Sequence, residues 1–151
     1  MEPKRFTLRC AVHLFLVIDG KILVENRKNR EYCNGQYDVI ASHILGGESA
    51  IDAIIRTAKT EVNIIIDKKD LDIVQVMHQN DNGLEYINYF FITNKYKGTI
   101  NNNEPQFCER LDWVEFKYPI DNLEDYINEA IRNYFNNPNE KFTFLGWKNC
   151  E

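Results

Sequence analysis

The sequence lacks the features that mark disulfide-rich, membrane-spanning and secreted proteins. Four cysteines are scattered through 151 residues, at Cys10, Cys33, Cys108 and Cys150, without the paired spacing of a zinc site. The longest apolar runs, such as "AVHLFLVI", fall well short of the roughly 20 residues that a membrane helix needs. The first residues do not resemble a signal peptide. We therefore expect reduced thiols, no membrane span and a cytoplasmic location.

Long basic blocks are also absent. The 18 lysines and arginines are outnumbered by 23 aspartates and glutamates, which gives a formal net charge of −5. This balance makes a nucleic-acid backbone a poor partner. A small ligand that carries phosphate would have to be met by a few local cations or by a bound metal ion.

Apolar and aromatic residues, in contrast, are plentiful. They make up 44% and 13% of the chain, enough to bury a core, so we expect a single domain over residues 1–151. "LRCAVHLFLVID" and "KILVEN" flank a turn at Gly20 and predict a hairpin. A polar loop follows, and then "VIAS" predicts a short strand before Gly46-Gly47.

The next segment predicts a helix between Ser49 and Asn63. Ser49 is a candidate N-cap with Asp52 three residues later, and Asn63 can end the helix in the left-handed conformation. The positions with helical apolar spacing are Ile51, Ile54, Ile55, Ala58 and Val62. The opposite face, predicted to lie away from the core, carries Arg56, Thr57, Lys59, Thr60 and Glu61.

The second half of the chain predicts three more strands and a packing helix. The strands are "LDIVQVMHQ", "YINYFFITNKY" and "RLDWVEFK", in which we expect His78 to have a packing or edge role and Trp113 to lie in the core. The helix is "DNLEDYINEAIRNYF". The order strands, helix, strands, helix favours a mixed sheet between helices.

The stretch "ASHILGGESAIDAIIRTAKTEVNI" resembles the signature box of the Nudix hydrolase family, with its spacing kept and its acids reduced. Glu48, Arg56 and Glu61 match the box. Thr57 and Thr60 stand where the family has two metal-binding glutamates, Ser42 stands at the first Gly, and Asn63 at the last. "YDVIASHILGGES", "VQVMHQ", "EYINYFF", "NNNEPQFCERLDWVEF" and the final "GW" extend the resemblance over nearly the whole chain.

The resemblance implies an α/β fold, the Nudix α/β/α sandwich around a mixed β-sheet. It also implies hydrolysis of the diphosphate linkage in a nucleoside diphosphate derivative, such as a nucleotide or nucleotide sugar, with Mg²⁺ or Mn²⁺. The metal ligands implied are Glu61, Glu48 and, from the later "NNNEP" turn, Glu104. The catalytic set implied is Glu61, Glu48 and Arg56, of which Arg56 and Glu48 resemble the family pair that braces loop against helix. The family also implies a possible homodimer.

Substrate-binding candidates lie before and within the box. Arg27 belongs to a small basic loop that could contact phosphates, and Tyr37 could stack on a base. His43 stands at a family histidine, and Gly46 and Gly47 would let backbone approach a ligand. Each also has a structural reading, as a solvated cation, a core aromatic, a loop histidine and turn glycines.

Two alternatives to hydrolysis stay open. With only Glu61 left of the three box acids, the chain could be a catalytically silent Nudix-fold module that binds a nucleotide or another protein. Tyr37-Asp38 before the box is also similar to the isopentenyl diphosphate isomerase branch, although a matching catalytic cysteine motif is missing.

Overall fold

The computed structural model describes residues 2–148 and contains a mixed β-sheet with two α-helices. The strands are β1 (Arg9–Ile18), β2 (Lys21–Arg27), β3 (Tyr37–Asp38), β4 (Ile40–His43), β5 (Asp72–Asp81), β6 (Leu84–Thr93), β7 (Cys108–Glu115) and β8 (Phe142–Leu145). The helices are α1 (Ala50–Val62) and α2 (Asp125–Asn136), and a 3-10 turn covers Lys68–Asp70. Within residues 2–148, no helix is both long and apolar enough to cross a membrane.

Strand β1 is the centre of the sheet. It runs parallel to β6 and antiparallel to β2 and β4, in the path β3-β2-β1-β6-β5-β8, with β4 on β1 and β7 on β2. Strands β5 and β6 form a long antiparallel hairpin, and β8 lies parallel to β5. The expected mixed sheet between helices is confirmed.

The side chains of β1 alternate between two apolar layers, as strand geometry requires. Leu14 and Leu16 pack in one cluster with Ala53 and Ile54 of α1. Phe15 packs in the other, with Ile127 of α2. The two helices therefore cover opposite faces of one sheet, which is the α/β/α sandwich that the resemblance implied.

Helix α1 begins and ends as predicted. The Ser49 hydroxyl accepts a hydrogen bond of 3.2 Å from the Asp52 amide, and Asn63 adopts φ 65° and ψ 31°. The Asn63 amide bonds to the carbonyl of Lys59 at 3.1 Å, which satisfies part of the last helical turn. The prediction that Thr57 and Glu61 lie away from the core was wrong, because both side chains are buried against the strands before the helix.

At the sheet edges the sequence analysis missed one strand and made one wrong prediction. Strand β8 was not predicted, because "FTFL" is too short to give a clear alternating pattern. Trp113 is 39% exposed rather than buried. Trp113 lies on the edge strand β7, where it pairs with Leu23 of β2. Its indole borders solvent, whereas Leu23 is buried. Cys10, Cys33 and Cys108 carry free thiols, and Cys150 lies outside the described residues.

The fit of α1 to the sheet can be tested at Ile54, which is fully buried. We expect Ile54→Ala to lower the free energy of unfolding by about 2–5 kcal/mol, because it removes apolar contacts and leaves a cavity. Ile65→Ala, at a side chain that is 49% exposed, is the matched control and should cost under about 1 kcal/mol. Urea denaturation measures both, and equal losses would contradict this packing.

Candidate active site

An ion pair fixes the loop between β4 and α1 onto the helix. Arg56 donates from Nε to Glu48 Oε2 at 3.0 Å and from Nη2 to Glu48 Oε1 at 2.7 Å. The same Nη2 donates to the carbonyl of His43 at 3.2 Å, and the amide of Leu45 donates to Glu48 at 2.8 Å. The paired guanidinium, first, and then the Leu45 amide hold the pKa of Glu48 below its usual range. Glu48 therefore serves as a brace with both carboxylate oxygens engaged.

The two glycines of this loop differ. Gly47 has φ +85°, a conformation that favours glycine, whereas Gly46 has an ordinary backbone conformation. A Cβ at either position would meet nothing within 4 Å, so the loop surface is open. His43 ends β4 with an exposed side chain, and its ring centre lies 6.5 Å from that of Tyr86. These three candidates are all exposed.

The threonines that replace two box acids behave differently from each other. Thr57 is buried, and its hydroxyl donates to the carbonyl of Ala53 at 2.7 Å, one turn earlier. The same oxygen is hydrogen-bonded to the hydroxyl of Ser42. Thr57 thus joins helix to strand β4, and its bonds are already made within the protein. Thr60 is exposed on the surface of α1.

Glu61, the remaining box acid, is buried beside other carboxyl groups. Its Oε1 accepts from the amide of Ala41 at 3.3 Å. Burial, first, and then the charges of Glu25, Glu104 and Asp38 raise the pKa of Glu61 well above its usual value. These four residues, Glu25, Asp38, Glu61 and Glu104, are called the acid cluster below.

Four elements bring the acid cluster together, namely β2, β3, α1 and the turn after β6. Strand pairing places Glu25 of β2 opposite Asp38 of β3. The asparagine-rich turn after β6 is tied to the end of α1, since the amides of Asn101 and Asn103 donate to the carbonyls of Val62 and Glu61, both at 3.0 Å. This contact positions the turn that carries Glu104. The sequence prediction grouped Glu61 with Glu48 and Glu104. The structure adds Glu25 and Asp38 to Glu61 and Glu104, whereas Glu48 is paired with Arg56.

Glu25, Asp38 and Glu61 have raised pKa values and so bind protons more tightly than isolated carboxyl groups do. Burial, followed by the charge of Asp38, raises the pKa of Glu25 to about 8, although a hydrogen bond with Glu61 opposes the rise. Burial also raises the pKa of Asp38, and Arg27 partly offsets it. Like charges in a poorly solvated site favour protonation, because the proton removes the repulsion. The Glu25–Glu61 pair therefore holds a proton near neutral pH.

A basic and aromatic group lies next to these acids. Arg27 Nη1 donates to Asp38 Oδ2 at 2.8 Å, and the guanidinium carbon lies 5.0 Å from the centre of the Tyr32 ring, which is exposed. Among the described residues, buried Nε of Arg27 has no hydrogen-bond partner. Arg30 Nη2 lies 4.0 Å from Glu104. The site thus combines acids with two guanidinium groups at its edge.

Tyr37 takes a structural position. Its hydroxyl donates to Asp112 at 2.9 Å, its amide donates to the carbonyl of Asn122 at 2.7 Å, and its ring packs against the apolar layer under α2. Its hydroxyl is therefore already committed to a bond within the protein.

Sequence analysis missed Glu25. The signal was a single acid directly after the apolar run "ILV" of β2, since a carboxylate in a buried strand usually has a specific partner. Its partner, Glu61, lies 36 residues further along the chain, and only the folded sheet brings the two together.

The acid cluster offers carboxylate oxygens to a divalent cation. Carboxylate oxygens are the donor type that Mg²⁺ and Mn²⁺ prefer, and Mg²⁺ is commonly held by one or two carboxylates with phosphate and water oxygens completing its shell. Over residues 2–148, no group of three or more acidic, histidine or cysteine side chains is arranged to hold a metal ion. The Glu25–Glu61 pair supplies only the donor type, and a Mg²⁺ ion held there would need oxygens of substrate and water to complete its coordination shell.

Comparison with known proteins gives the fold a name. No family model and no curated protein matches the sequence. Solved structures do match. A MutT NUDIX hydrolase from Burkholderia pseudomallei is 21% identical over 84% of this chain and 98% of its own, with a TM-score of 0.75. A MutT protein from Bacillus halodurans is 14% identical over 95% of this chain and 94% of its own, with a TM-score of 0.73.

A third similar structure contains ligands. It is a bifunctional NMN adenylyltransferase/ADP ribose pyrophosphatase from Francisella tularensis, complexed with AMP and a manganese ion. It is 14% identical over 85% of this chain and 42% of its own, with a TM-score of 0.64. At these identities the likeness establishes the Nudix fold for this chain.

The proton held by the acid cluster predicts an unusual pH dependence of stability. The raised pKa keeps Glu25 protonated in the folded protein up to about pH 8, whereas in the unfolded chain Glu25 loses this proton near the ordinary glutamate pKa of 4.5. Between these values the folded state binds more protons, so raising the pH favours unfolding. We expect the metal-free protein to lose stability from about pH 5 to about pH 8, and Glu25→Gln to flatten this loss.

Urea midpoints at several pH values, with a chelator present, measure the slope. Glu115→Gln changes an exposed acid at the end of β7 and should leave the slope unchanged. A slope that is the same in Glu25→Gln and the native chain would contradict the raised pKa of Glu25.

Proposed function

We propose that this protein, which has the Nudix fold, is a divalent-metal-dependent hydrolase of the diphosphate linkage in a nucleoside diphosphate derivative. The observation that carries the proposal is the acid cluster, in which buried Glu61 meets Glu25, Asp38 and Glu104 beside α1. A purely structural sheet would gain nothing from collecting four carboxyl groups in a poorly solvated place. The cluster is best explained by a positive ligand that balances it.

In this proposal Glu61 and Glu25 hold Mg²⁺ or Mn²⁺, with Glu104 close enough to add negative potential. When bound, the metal would withdraw charge from the diphosphate and lower the pKa of an attacking water. The Glu48–Arg56 pair is a positioning element, because it fixes the loop and the first turns of the helix that carries Glu61. Asp38 orients Arg27.

The guanidinium groups supply the contacts for an anionic substrate. Arg27 donates from Nη1 to Asp38, and its Nη2 would donate to a phosphate oxygen. Arg30 lies at the other side of the site, with its guanidinium carbon 4.3 Å from the centre of the Phe107 ring. Tyr32, which is exposed next to Arg27, offers a flat surface for a base. His43, Gly46 and Gly47, which are exposed in and before the loop that carries Glu48, would border the ligand.

A second function is favoured by Thr57. Its hydroxyl is buried and fully bonded to Ser42 and Ala53, so it offers no metal ligand where the box would have an acid. Thr60 adds no charge either. A Nudix-fold module that binds a nucleotide without hydrolysing it would need only the basic and aromatic half of the site.

Metal-dependent turnover separates the two functions. We expect the native chain to release phosphate or nucleoside monophosphate from at least one member of a panel of nucleoside triphosphates, dinucleotides and nucleotide sugars, with Mg²⁺ or Mn²⁺. Glu61→Gln should lower kcat by at least about 100-fold, because it removes a charged metal ligand. Glu25→Gln should lower it by about 10-fold or more, whereas Glu115→Gln should keep native activity.

Activity that persists in Glu61→Gln would show that the acid cluster does not hold the metal. Silence of the native chain over the whole panel, together with a nucleotide that raises the melting temperature, would establish the binding module instead. Melting temperatures of all variants show whether each one folds.

Restoring one box acid tests whether too little negative charge limits the site. We expect Thr60→Glu to be tolerated, because Thr60 is exposed, and to tighten Mn²⁺ binding by a few-fold to about 10-fold. Thr57→Glu is the contrasting variant. It should lower the melting temperature, since it would place a larger, charged group where Thr57 is buried. Mn²⁺ titration by calorimetry measures the affinity, and unchanged affinity in Thr60→Glu would contradict the idea.

A further inference from the structure

Strand β8 presents exposed apolar side chains at the outer edge of the sheet. Phe142 and Phe144 are 70% and 60% exposed, and they lie two residues apart on the same face of the sheet. Thr143 and Leu145 point to the opposite face, where Leu145 packs against the layer under α2. Strand β8 pairs with β5 along one edge, and within residues 2–148 no strand pairs with its other edge.

Aromatic side chains extend this face across β5. Strand pairing places Phe144 opposite His78, with ring centres 6.4 Å apart. The Trp147 ring lies 4.7 Å from that of His78, and its Nε1 donates to the His78 carbonyl at 2.9 Å. Phe144, His78 and Trp147 line a groove of about 790 Å³. The exposed phenylalanines are therefore part of a continuous aromatic surface.

The edge strand β7 shows how this protein treats an edge that stays in water. Over Cys108–Glu115 it carries four charged residues, Glu109, Arg110, Asp112 and Glu115. Charged side chains on an edge strand oppose pairing with another chain. Strand β8 has no charge in its four residues and two exposed aromatic rings. An edge of this kind is suited to pairing with another strand.

We propose that β8 pairs antiparallel with β8 of a second copy of this chain, so that the sheet continues across a twofold axis. The proposal is independent of the hydrolase function. A twofold axis perpendicular to the sheet keeps each residue on its own face, which is the symmetry of an isologous dimer. In such a dimer the residue numbers of each directly opposed pair add up to an even number.

The register centred on Thr143 fits the bounds of the strand. It places Phe142 of each copy opposite Phe144 of the other, which gives two cross-strand aromatic pairs. A register centred on Phe144 would instead place Phe142 opposite Gly146, which lies outside β8 and has φ +82°. The Thr143 register therefore uses the strand most fully.

Charge does not oppose this register. Lys141, at the start of the strand, would lie opposite Leu145 of the second copy, and its own Nζ donates to the Ile73 carbonyl at 3.1 Å. The two Lys141 positions would be four residues apart along the paired strands, roughly 14 Å, where salt largely screens their repulsion. A four-residue strand gives a small interface, so we expect a dissociation constant on the order of 10 µM.

Sedimentation velocity of the full chain from about 1 µM to about 100 µM tests the proposal. We expect a shift from the 17.8 kDa monomer to a dimer of twice that mass as concentration rises. Phe144→Glu should weaken association by at least about 10-fold, because it places a charge in the aromatic contact. Phe6→Glu is the matched control, since Phe6 is 69% exposed and lies outside every strand, and it should associate as the native chain does.

A charge-pair variant tests the register itself. Phe142→Lys alone and Phe144→Glu alone should each weaken the dimer, whereas the double variant should restore it, because Lys and Glu would then lie opposite each other twice. Circular dichroism confirms that each variant folds. A native chain that stays monomeric to about 100 µM would overturn the proposal and leave the face to a different partner. A dimer that persists in Phe144→Glu, or a double variant that stays monomeric, would overturn this pairing.

Discussion

The parallel pairing of β1 with β6 is the interaction on which the rest of the molecule depends. Eight residue pairs, from Arg9 opposite Tyr86 to Leu16 opposite Thr93, join the two strands. Strand β1 also carries β2 and β4, so the segments that lead to Glu25 and to α1 both start from it. Because its side chains alternate between two buried layers, a shift of one residue would exchange the layers under α1 and α2. The register of this one strand therefore fixes where the acid cluster forms.

The acidic residues of the candidate site are distributed over different elements than in the family signature. The signature concentrates acids on one helix, whereas here α1 contributes Glu61 alone and a strand contributes Glu25. The two carboxyl groups therefore come from different elements, a strand and a helix. The amide of Ala41 in β4 donates a hydrogen bond to the carboxyl group of Glu61. The Glu48–Arg56 brace is complete, so the frame that orients the helix has been kept while its charge has been reduced.

The sequence was sufficient for elements whose signals are local. The caps of α1 at Ser49 and Asn63 were predicted because a hydroxyl and an asparagine act on their own neighbours along the chain. The acid cluster could not be predicted in full, since Glu25 and Glu61 become neighbours only when β2 and α1 pack on β1. The exposure of Trp113 failed for a related reason, because hydrophobicity does not tell whether a strand ends up at an edge. The fold was predicted from the resemblance, whereas the members of the acid cluster became clear only from burial and strand pairing in the structure.

The hydroxyl bridge from Ser42 to Thr57 and on to Ala53 bears on the balance between stability and activity. Active sites commonly crowd like charges whose repulsion weakens the fold, and a neutral side chain that closes its own hydrogen bonds relieves that repulsion. At Thr57 the protein holds a robust joint between strand and helix where a third carboxylate would have added strain. A carboxylate at position 57 would have to give up both hydrogen bonds, so a stronger cation site there would weaken the contact between β4 and α1.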